Sequence, residues 1–164
     1  MTPTSLPAGL VVDFLNTVDV EAGTDVLDDP RGFARWCRGH GTSPVDSASA
    51  RRLRDELRAM AAGERYRIDP IRIPLAASRD GGLAPAPTDV VEAVCAAVMT
   101  LTATGDLARI KLCPADDCRE AFYDRSRNRS RVWCDMADCG NLAKVRALRG
   151  RRTGVPTRPP SRPS

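Results

Sequence analysis

Four of the six cysteines fall into two matched pairs, Cys113-x4-Cys118 and Cys134-x4-Cys139, with fifteen residues between the pairs. Each short spacing lets a tight turn aim two sulfurs at one point, and a gap of this length brings the second pair to the first, which is what a tetrahedral structural Zn²⁺ requires. The alternatives for these residue types are disulfides or metal-free buried thiols; the first needs an oxidising compartment and the second gives no reason for matched pairs. Between the pairs runs DRSRNRSRVWC (124–134), with Arg125, Arg127, Arg129 and Arg131 at every second position. Four guanidinium groups this close repel one another, so the run makes sense as a solvated tip or as a surface for a polyanion. Guanidinium forks match phosphate oxygens two at a time, and Ser126, Asn128 and Ser130 add neutral donors. Arg125 or Arg131 could instead be held within the fold by Asp124 or Asp135. Trp133, beside a ligand, reads as core rather than as a base-stacking platform.

Other reactive types are sparse. His40 is the single histidine and follows Cys37 by three residues, which invites a Cys–His nucleophile and a small hydrolase. An apolar helical face for the thiol and a helix end for the histidine explain both more simply. Cys95 stands among valines and reads as packing. A metal-dependent nuclease would need histidine or acidic ligands at a second, open metal site, and residues 109–164 hold no histidine; no enzymatic activity is expected. Asp13, Asn16 and Thr17 interrupt the apolar run LVVDFLNTV (10–18) and read as turn or capping groups, or as polar groups lining an effector pocket.

Charge separates the two parts of the chain. Residues 109–164 carry 14 Arg/Lys against 6 Asp/Glu, and residues 1–108 carry 11 against 15. A basic end on an acidic body implies a polyanionic partner for that end. Four thiolates with one Zn²⁺ add a formal −2, which does not cancel the excess. The opening residues have no basic stretch ahead of an apolar one, and no apolar run approaches the roughly 18 residues of a membrane span. A cytoplasmic protein with reduced thiols and no membrane contact is the expectation.

These groups need elements to position them. DDPRGFARWCRGHG suits a helix that starts at Pro30, puts Phe33, Trp36 and Cys37 on one face and stops at Gly39 and Gly41. SASARRLRDELRAMAAG (47–63) aligns Leu53, Leu57, Met60 and Ala61. TDVVEAVCAAVMTLTATG (88–105) is capped by Thr88, aligns Val91, Val94, Cys95, Val98 and Leu101, and ends at Gly105. Residues 64–87 read as extended chain and loop, and the run 10–18 as a strand or a helical turn. In the cysteine-rich part, RIKL (109–112) leads into the first cysteine turn, AFYD and RVWC form two arms of a hairpin, and a helix capped by Asp138 runs to about Arg149. A helix dipole would favour a thiolate at Cys139. Leu112, Phe122, Val132, Trp133, Leu142, Val145 and Leu148 make a thin core for residues 109–150. Structural zinc contributes an apparent ~10–16 kcal/mol, so metal rather than packing should hold the module together.

CPADDC, FYDRSRNRSRVWC and DCGNLAK, in this order and spacing, resemble the CGNR-type zinc finger. VVDFLNT and the amphipathic helices resemble the ABATE domain that accompanies it in stress-induced transcriptional regulators. Two departures stand out: Leu142 replaces the last arginine of the family tetrapeptide, and the region 64–87 is short. The resemblance implies a treble-clef-like finger that binds DNA.

The expectation is therefore an α+β protein. A mainly helical N-terminal domain (1–106) for effector sensing or homodimerisation is joined to a finger (107–150) holding one structural Zn²⁺ on Cys113, Cys118, Cys134 and Cys139, with a disordered basic tail (151–164). Arg125, Arg127, Asn128, Arg129, Arg131, Asn141, Lys144, Arg146 and Arg149 are the candidate contacts to duplex DNA, with Arg151 and Arg152 extending the basic surface. The rival partners are RNA or an acidic protein surface.

Overall fold

In the computed structural model, residues 6–153 are described. The mixed architecture has five α-helices and three two-stranded antiparallel hairpins among these residues, in agreement with the α+β expectation. The tail expected to be disordered lies outside them from residue 154 onward.

The apolar run that could have been strand or helix is helix α1 (Leu6–Leu15), which buries Ala8, Val11, Phe14 and Leu15 along one face. A short hairpin follows, β1 (Val18–Asp19) with β2 (Thr24–Asp25), and then a 3-10 turn over Val26–Asp28. Helix α2 (Pro30–Gly39) begins as its sequence demands. Pro30 needs no hydrogen-bond acceptor in the first turn, and the Asp29 carboxylate accepts from the N–H groups of Arg31 (3.0 Å) and Gly32 (2.9 Å). Gly41, with φ of 68°, turns the chain away after the helix.

Helix α3 (Ser47–Ala61) is capped by Asp46 and buries Ala50, Leu53 and Leu57. Its inner face also carries Arg54, 2 % exposed, whose charge is met by Asp25 at 2.7 Å and Asp55 at 3.0 Å. Residues 64–87, expected to be extended chain and loop, contain a small hairpin, β3 (Leu75–Ala77) with β4 (Leu83–Pro85).

Helix α4 (Val90–Ala103) starts one residue later than expected: Asp89, not Thr88, is the cap, accepting from the N–H of Glu92 at 2.9 Å. Glu92 reaches back to the Thr88 N–H at 2.7 Å and hydroxyl at 2.9 Å, so both residues share the terminus. The buried stripe is Val90, Ala93, Val94, Ala97 and Leu101, with Val91, Cys95 and Val98 flanking it. Gly105, at φ of 72°, closes the helix, and the Asp106 N–H returns to the Leu101 carbonyl at 2.8 Å.

The cysteine-rich part is built on a different hairpin from the one expected. Strand β5 (Ile110–Leu112) pairs with β6 (Ala121–Tyr123), Lys111 opposite Phe122. Residues 131–134 are irregular rather than a second arm. The reason lies in where the backbone groups of that segment go. The Arg131 N–H donates to the Asp124 carboxylate at 2.9 Å, and the carbonyls of Arg129 and Arg131 accept from Lys111 Nζ at 2.6 and 2.9 Å, so side chains take the bonds a strand ladder would need. Helix α5 (Cys139–Thr153) follows, longer than expected and reaching into the first residues of the expected tail.

Packing also departs from expectation. Ile110, Leu112 and Ala121 join Ala8, Val11, Phe14, Leu53, Leu57 and Val94 in a single buried cluster. By contrast, Val132, Leu142, Val145 and Leu148 are exposed, by 46, 52, 42 and 58 % respectively. The hairpin thus draws its apolar environment from the N-terminal helices, not from α5. Polar bonds fasten the same junction. The Asn16 amide donates to the Ala121 carbonyl at 2.9 Å and accepts from the Ala121 N–H at 2.7 Å, while Arg58 donates to the carbonyls of Leu15 (2.7 Å) and Arg119 (2.8 Å).

Candidate metal centre and basic surface

Cys113 leaves the end of β5, Cys118 closes the turn that returns to β6, Cys134 ends the irregular segment and Cys139 opens α5. All six cysteines are free, and the four sulfurs of the paired motifs lie within 4.8 Å of one another. Cys118 Sγ is 3.5 Å from Cys134 Sγ, which is 3.7 Å from Cys139 Sγ. Four thiolates about 2.3 Å from a tetrahedral Zn²⁺ stand about 3.8 Å apart, far from the ~2.05 Å of a disulfide.

The thiols alone compete for charge. Burial and contact with Cys118 push Cys134 up, and burial together with Cys113 and Cys118 pushes Cys139 up to about 12. Burial also opposes ionisation of Cys113, but the backbone N–H groups of Cys134 and Ala115 and donation from Cys139 and Cys134 outweigh it and lower its pKa. Such a set ionises fully only around a cation. The four cysteines are a structural zinc site.

A Cβ on Gly140 would meet Met136 Sδ at 3.1 Å and Trp133 Cδ1 at 3.5 Å, so a larger residue after Cys139 would need the exposed Met136 side chain to shift slightly. The Asp135 carboxylate closes the turn before α5, accepting from the N–H groups of Ala137 and Asp138, and Asp138 stands at the N-cap position as expected. Asp138 contributes its carbonyl, which takes the Leu142 N–H at 2.9 Å.

Beneath the arginine run sits Asp124, 0 % exposed. It accepts from Lys111 Nζ at 2.7 Å and from the N–H groups of Ser126 (2.8 Å) and Arg131 (2.9 Å). Burial alone would raise its pKa; Lys111, Ser126 and the Arg131 N–H overcome that and hold it at about 2. Arg109 joins from the same strand end, its guanidinium donating to the carbonyls of Asp124 and Ser126 at 3.0 Å each. Residues 124–131 therefore form a loop pinned from below by two cations and one buried carboxylate. The sequence offered Asp124 as a partner for Arg125 or Arg131, but not Lys111 and Arg109, which look like ordinary members of a basic stretch. Only the opposite signs at Lys111 and Asp124, across the first cysteine turn, hinted at a pair.

The candidate contact residues divide accordingly. Arg127, Asn128 and Arg129 are exposed at the loop tip, and among the described residues neither guanidinium has a carboxylate or carbonyl partner. Arg129 adopts φ of 52°, which turns the loop back. Arg125 is exposed and makes an interaction of its own within the chain. Arg131 is taken up by the fold: its guanidinium donates to the carbonyls of Trp133 (2.8 Å) and Cys134 and lies 5.0 Å from the Phe122 ring centroid. Arg146 forms an exposed ion pair with Asp117 at 2.9 Å, tying α5 to the first cysteine turn. Asn141 and Lys144 are exposed on α5, and Arg149 lies on the same helix with its side chain outside the described residues.

Asp13, Asn16 and Thr17 do not converge. Asp13 meets His40 Nε2 at 3.2 Å, and the Thr17 hydroxyl is buried, donating to the Phe14 carbonyl at 2.8 Å and accepting from Arg54 at 3.3 Å. Asn16 alone lines a cleft of 300 Å³, together with Asp19, Glu21, Cys118 and Glu120. A roomier cleft of 720 Å³ lies beside α3, bounded by Arg52, Leu53, Arg67, Ile68, Ile71 and Val91. The two ring nitrogens of His40 face Asp13 and the Trp36 carbonyl (2.9 Å), and the ring stacks on Trp36 at 3.9 Å, so neither nitrogen serves the buried Cys37 thiol. Burial raises the pKa of that thiol, and burial raises Cys95 to about 11.

A cysteine turn, a two-stranded hairpin and a helix carrying the last sulfur define a small zinc-binding module. Residues 109–152 match the family model of the CGNR zinc finger. No curated protein shows a significant match to the chain. No helix among the described residues is long and apolar enough to cross a membrane.

Proposed function

We propose that the zinc finger binds duplex DNA, chiefly through phosphate contacts from Arg127 and Arg129, and that the chain acts as a transcriptional regulator. The carrying observation is the contrast within one loop. Asp124, Lys111 and Arg109 hold its base while the Arg127 and Arg129 guanidinium groups are left to solvent. A fixed backbone presenting unpartnered guanidinium groups lowers the ordering cost of binding a polyanion. Arg125, Asn128, Asn141, Lys144 and Arg149 extend the contact surface; Arg131 and Arg146 serve it indirectly, through Cys134 and Asp117. Phosphates supply affinity, and Asn128 or Asn141 reads base edges. The regulator reading draws on the likeness of VVDFLNT and the following helices to an ABATE domain. Its effector would enter the 720 Å³ cleft beside α3, rather than the Asp13–Thr17 segment.

Fluorescence anisotropy with a duplex probe between 50 and 200 mM salt tests the reading. Affinity should fall with a log–log slope of about −0.9 per phosphate contacted. Arg127→Ala with Arg129→Ala should make that slope shallower. Binding insensitive to salt, or a preference for structured RNA over duplex DNA, would overturn it.

A further inference from the structure

Helix α5 has two unlike sides. Cys139, Gly140 and Ala143 lie toward the finger, with Gly140 buried beside Trp133 and Met136. Opposite them Asn141, Leu142, Val145 and Leu148 line one strip at the helical repeat. All four are exposed, and no described residue of α5 joins the buried cluster. Lys144 and Arg146, also exposed, border the strip on its two sides. From Cys139 to Ser164 the sequence has no acidic residue.

Three large apolar side chains exposed along one strip mark a binding face, and its polar groups decide the occupant. A second copy of α5 laid against the first would set Lys144 and Arg146 among like charges. An apolar groove on another protein would bury the Asn141 amide, which has no hydrogen-bond partner among the described residues, and leave its bonds unmet. The major groove of DNA suits every part of the face. It admits one α-helix, and its phosphate walls lie where Lys144 and Arg146, the latter oriented by Asp117 at 2.9 Å, would meet them. Its floor offers adenine N6 and N7 to an asparagine amide and the thymine C5-methyl to apolar side chains. Leu142 also stands where the family tetrapeptide ends in arginine, so a side chain suited to a methyl group replaces one suited to guanine or phosphate.

We infer that α5 enters the major groove with this strip toward the base edges, and that Leu142 and Val145 select A·T pairs by packing on thymine methyl groups while Asn141 bonds a neighbouring adenine. The inference rests on the DNA-binding reading and goes beyond it. Phosphate contacts from Arg127 and Arg129 hold any duplex, and the α5 strip discriminates among duplexes.

Titration of the zinc-loaded full chain against two duplexes that differ only in methyl groups tests this: an alternating adenine-thymine duplex, and the same duplex with uracil in place of thymine. Their phosphates are identical, so the salt-dependent part of binding is common to both. Each methyl packed should favour the thymine duplex about fourfold, the worth of one buried methyl group, and Leu142 with Val145 together about tenfold. Leu142→Gln and Val145→Gln sit at exposed positions where a helix tolerates glutamine. Each should narrow the preference for thymine, and the double variant should bind the two duplexes alike. Equal binding of both duplexes by the original chain, weakening as salt rises, would overturn the inference while DNA binding stood, and would leave the strip to a protein partner. A thymine preference that survived the double variant would overturn it too. Absence of binding to either duplex would remove the DNA-binding reading and the inference together.

Discussion

Arg131 and Arg129 differ by two positions and by almost everything else. One guanidinium is bonded to the Trp133 and Cys134 carbonyls against the Phe122 ring, and the other points into solvent beside Arg127. Replacing each should therefore fail differently. Arg127→Ala with Arg129→Ala should weaken DNA binding without lowering the melting temperature by more than a degree or two. Arg131→Ala should destabilise the finger by roughly 1–3 kcal/mol, since two carbonyls lose a charged donor; thermal melts distinguish the two. Asp124 carries a sharper expectation. Its folded pKa of about 2 lies below the ordinary 3.8, so its contribution is fully present above pH 4 and is lost as pH falls through 2. The advantage of the wild type over Asp124→Asn should shrink by about 2 kcal/mol between pH 5 and pH 2 in urea titrations. The difference between the two proteins cancels the acid release of metal common to both. Lys111→Met leaves that carboxylate buried without its cation and should cost about 3–5 kcal/mol.

Among the elements, the hairpin β5–β6 belongs to two systems at once. Its outer end carries Cys113 and leads to Cys118, while Ile110, Leu112 and Ala121 are packed with α1, α3 and α4. Metal removal should therefore not dissolve the finger as a unit. Strong chelation is expected to release α5 and residues 132–138, whose seat is Cys134 and Cys139, while α1 to α4, the hairpin and the loop pinned at Asp124 persist. Hydrogen exchange should show protection lost in α5 and retained at Ala121. Equal loss at Ala121 would return the hairpin to the metal's account. Asn16→Ala should cost about 1–3 kcal/mol, because it strips both bonds from the Ala121 backbone, buried at the start of β6. Fastening of this kind also gives α3 a role in both halves. Arg52 and Leu53 border the 720 Å³ cleft, and Arg58 reaches the Leu15 and Arg119 carbonyls.

At the scale of the molecule, one buried cluster spans the boundary expected near residue 106. A fragment of residues 1–106 would lack Ile110, Leu112 and Ala121 from the face that holds Phe14 and Leu57, and it should melt without a sharp transition. The full chain should give one main cooperative transition over α1 to β6, with α5 following the metal; calorimetry with and without chelator checks both. Two transitions in the zinc-loaded chain, the first confined to residues 109–153, would show separate domains instead.

Much of this was legible from local chemistry. Cysteine spacing announced the zinc site because two turns of fixed length can bring four sulfurs together whatever surrounds them, and Asp29, Pro30 and Gly105 placed helix ends through bonds made within a few residues. Apolar spacing placed α3 and α4, though α4, apolar on most sides, hid which stripe faced inward. Other features depended on partners far along the chain. Arg54 is buried because Asp25 is there to meet it, Arg131 turns inward because Trp133 and Cys134 leave carbonyls in reach, and the second hairpin arm dissolved because Asp124 and Lys111 took its backbone bonds. The sequence by itself determined the metal's ligands, helices α2 to α5 and the sign of the charge. Only tertiary structure decided which arginines remain outside and which strand pairs with β5, because those outcomes are settled by competition among polar groups for partners that folding alone brings together.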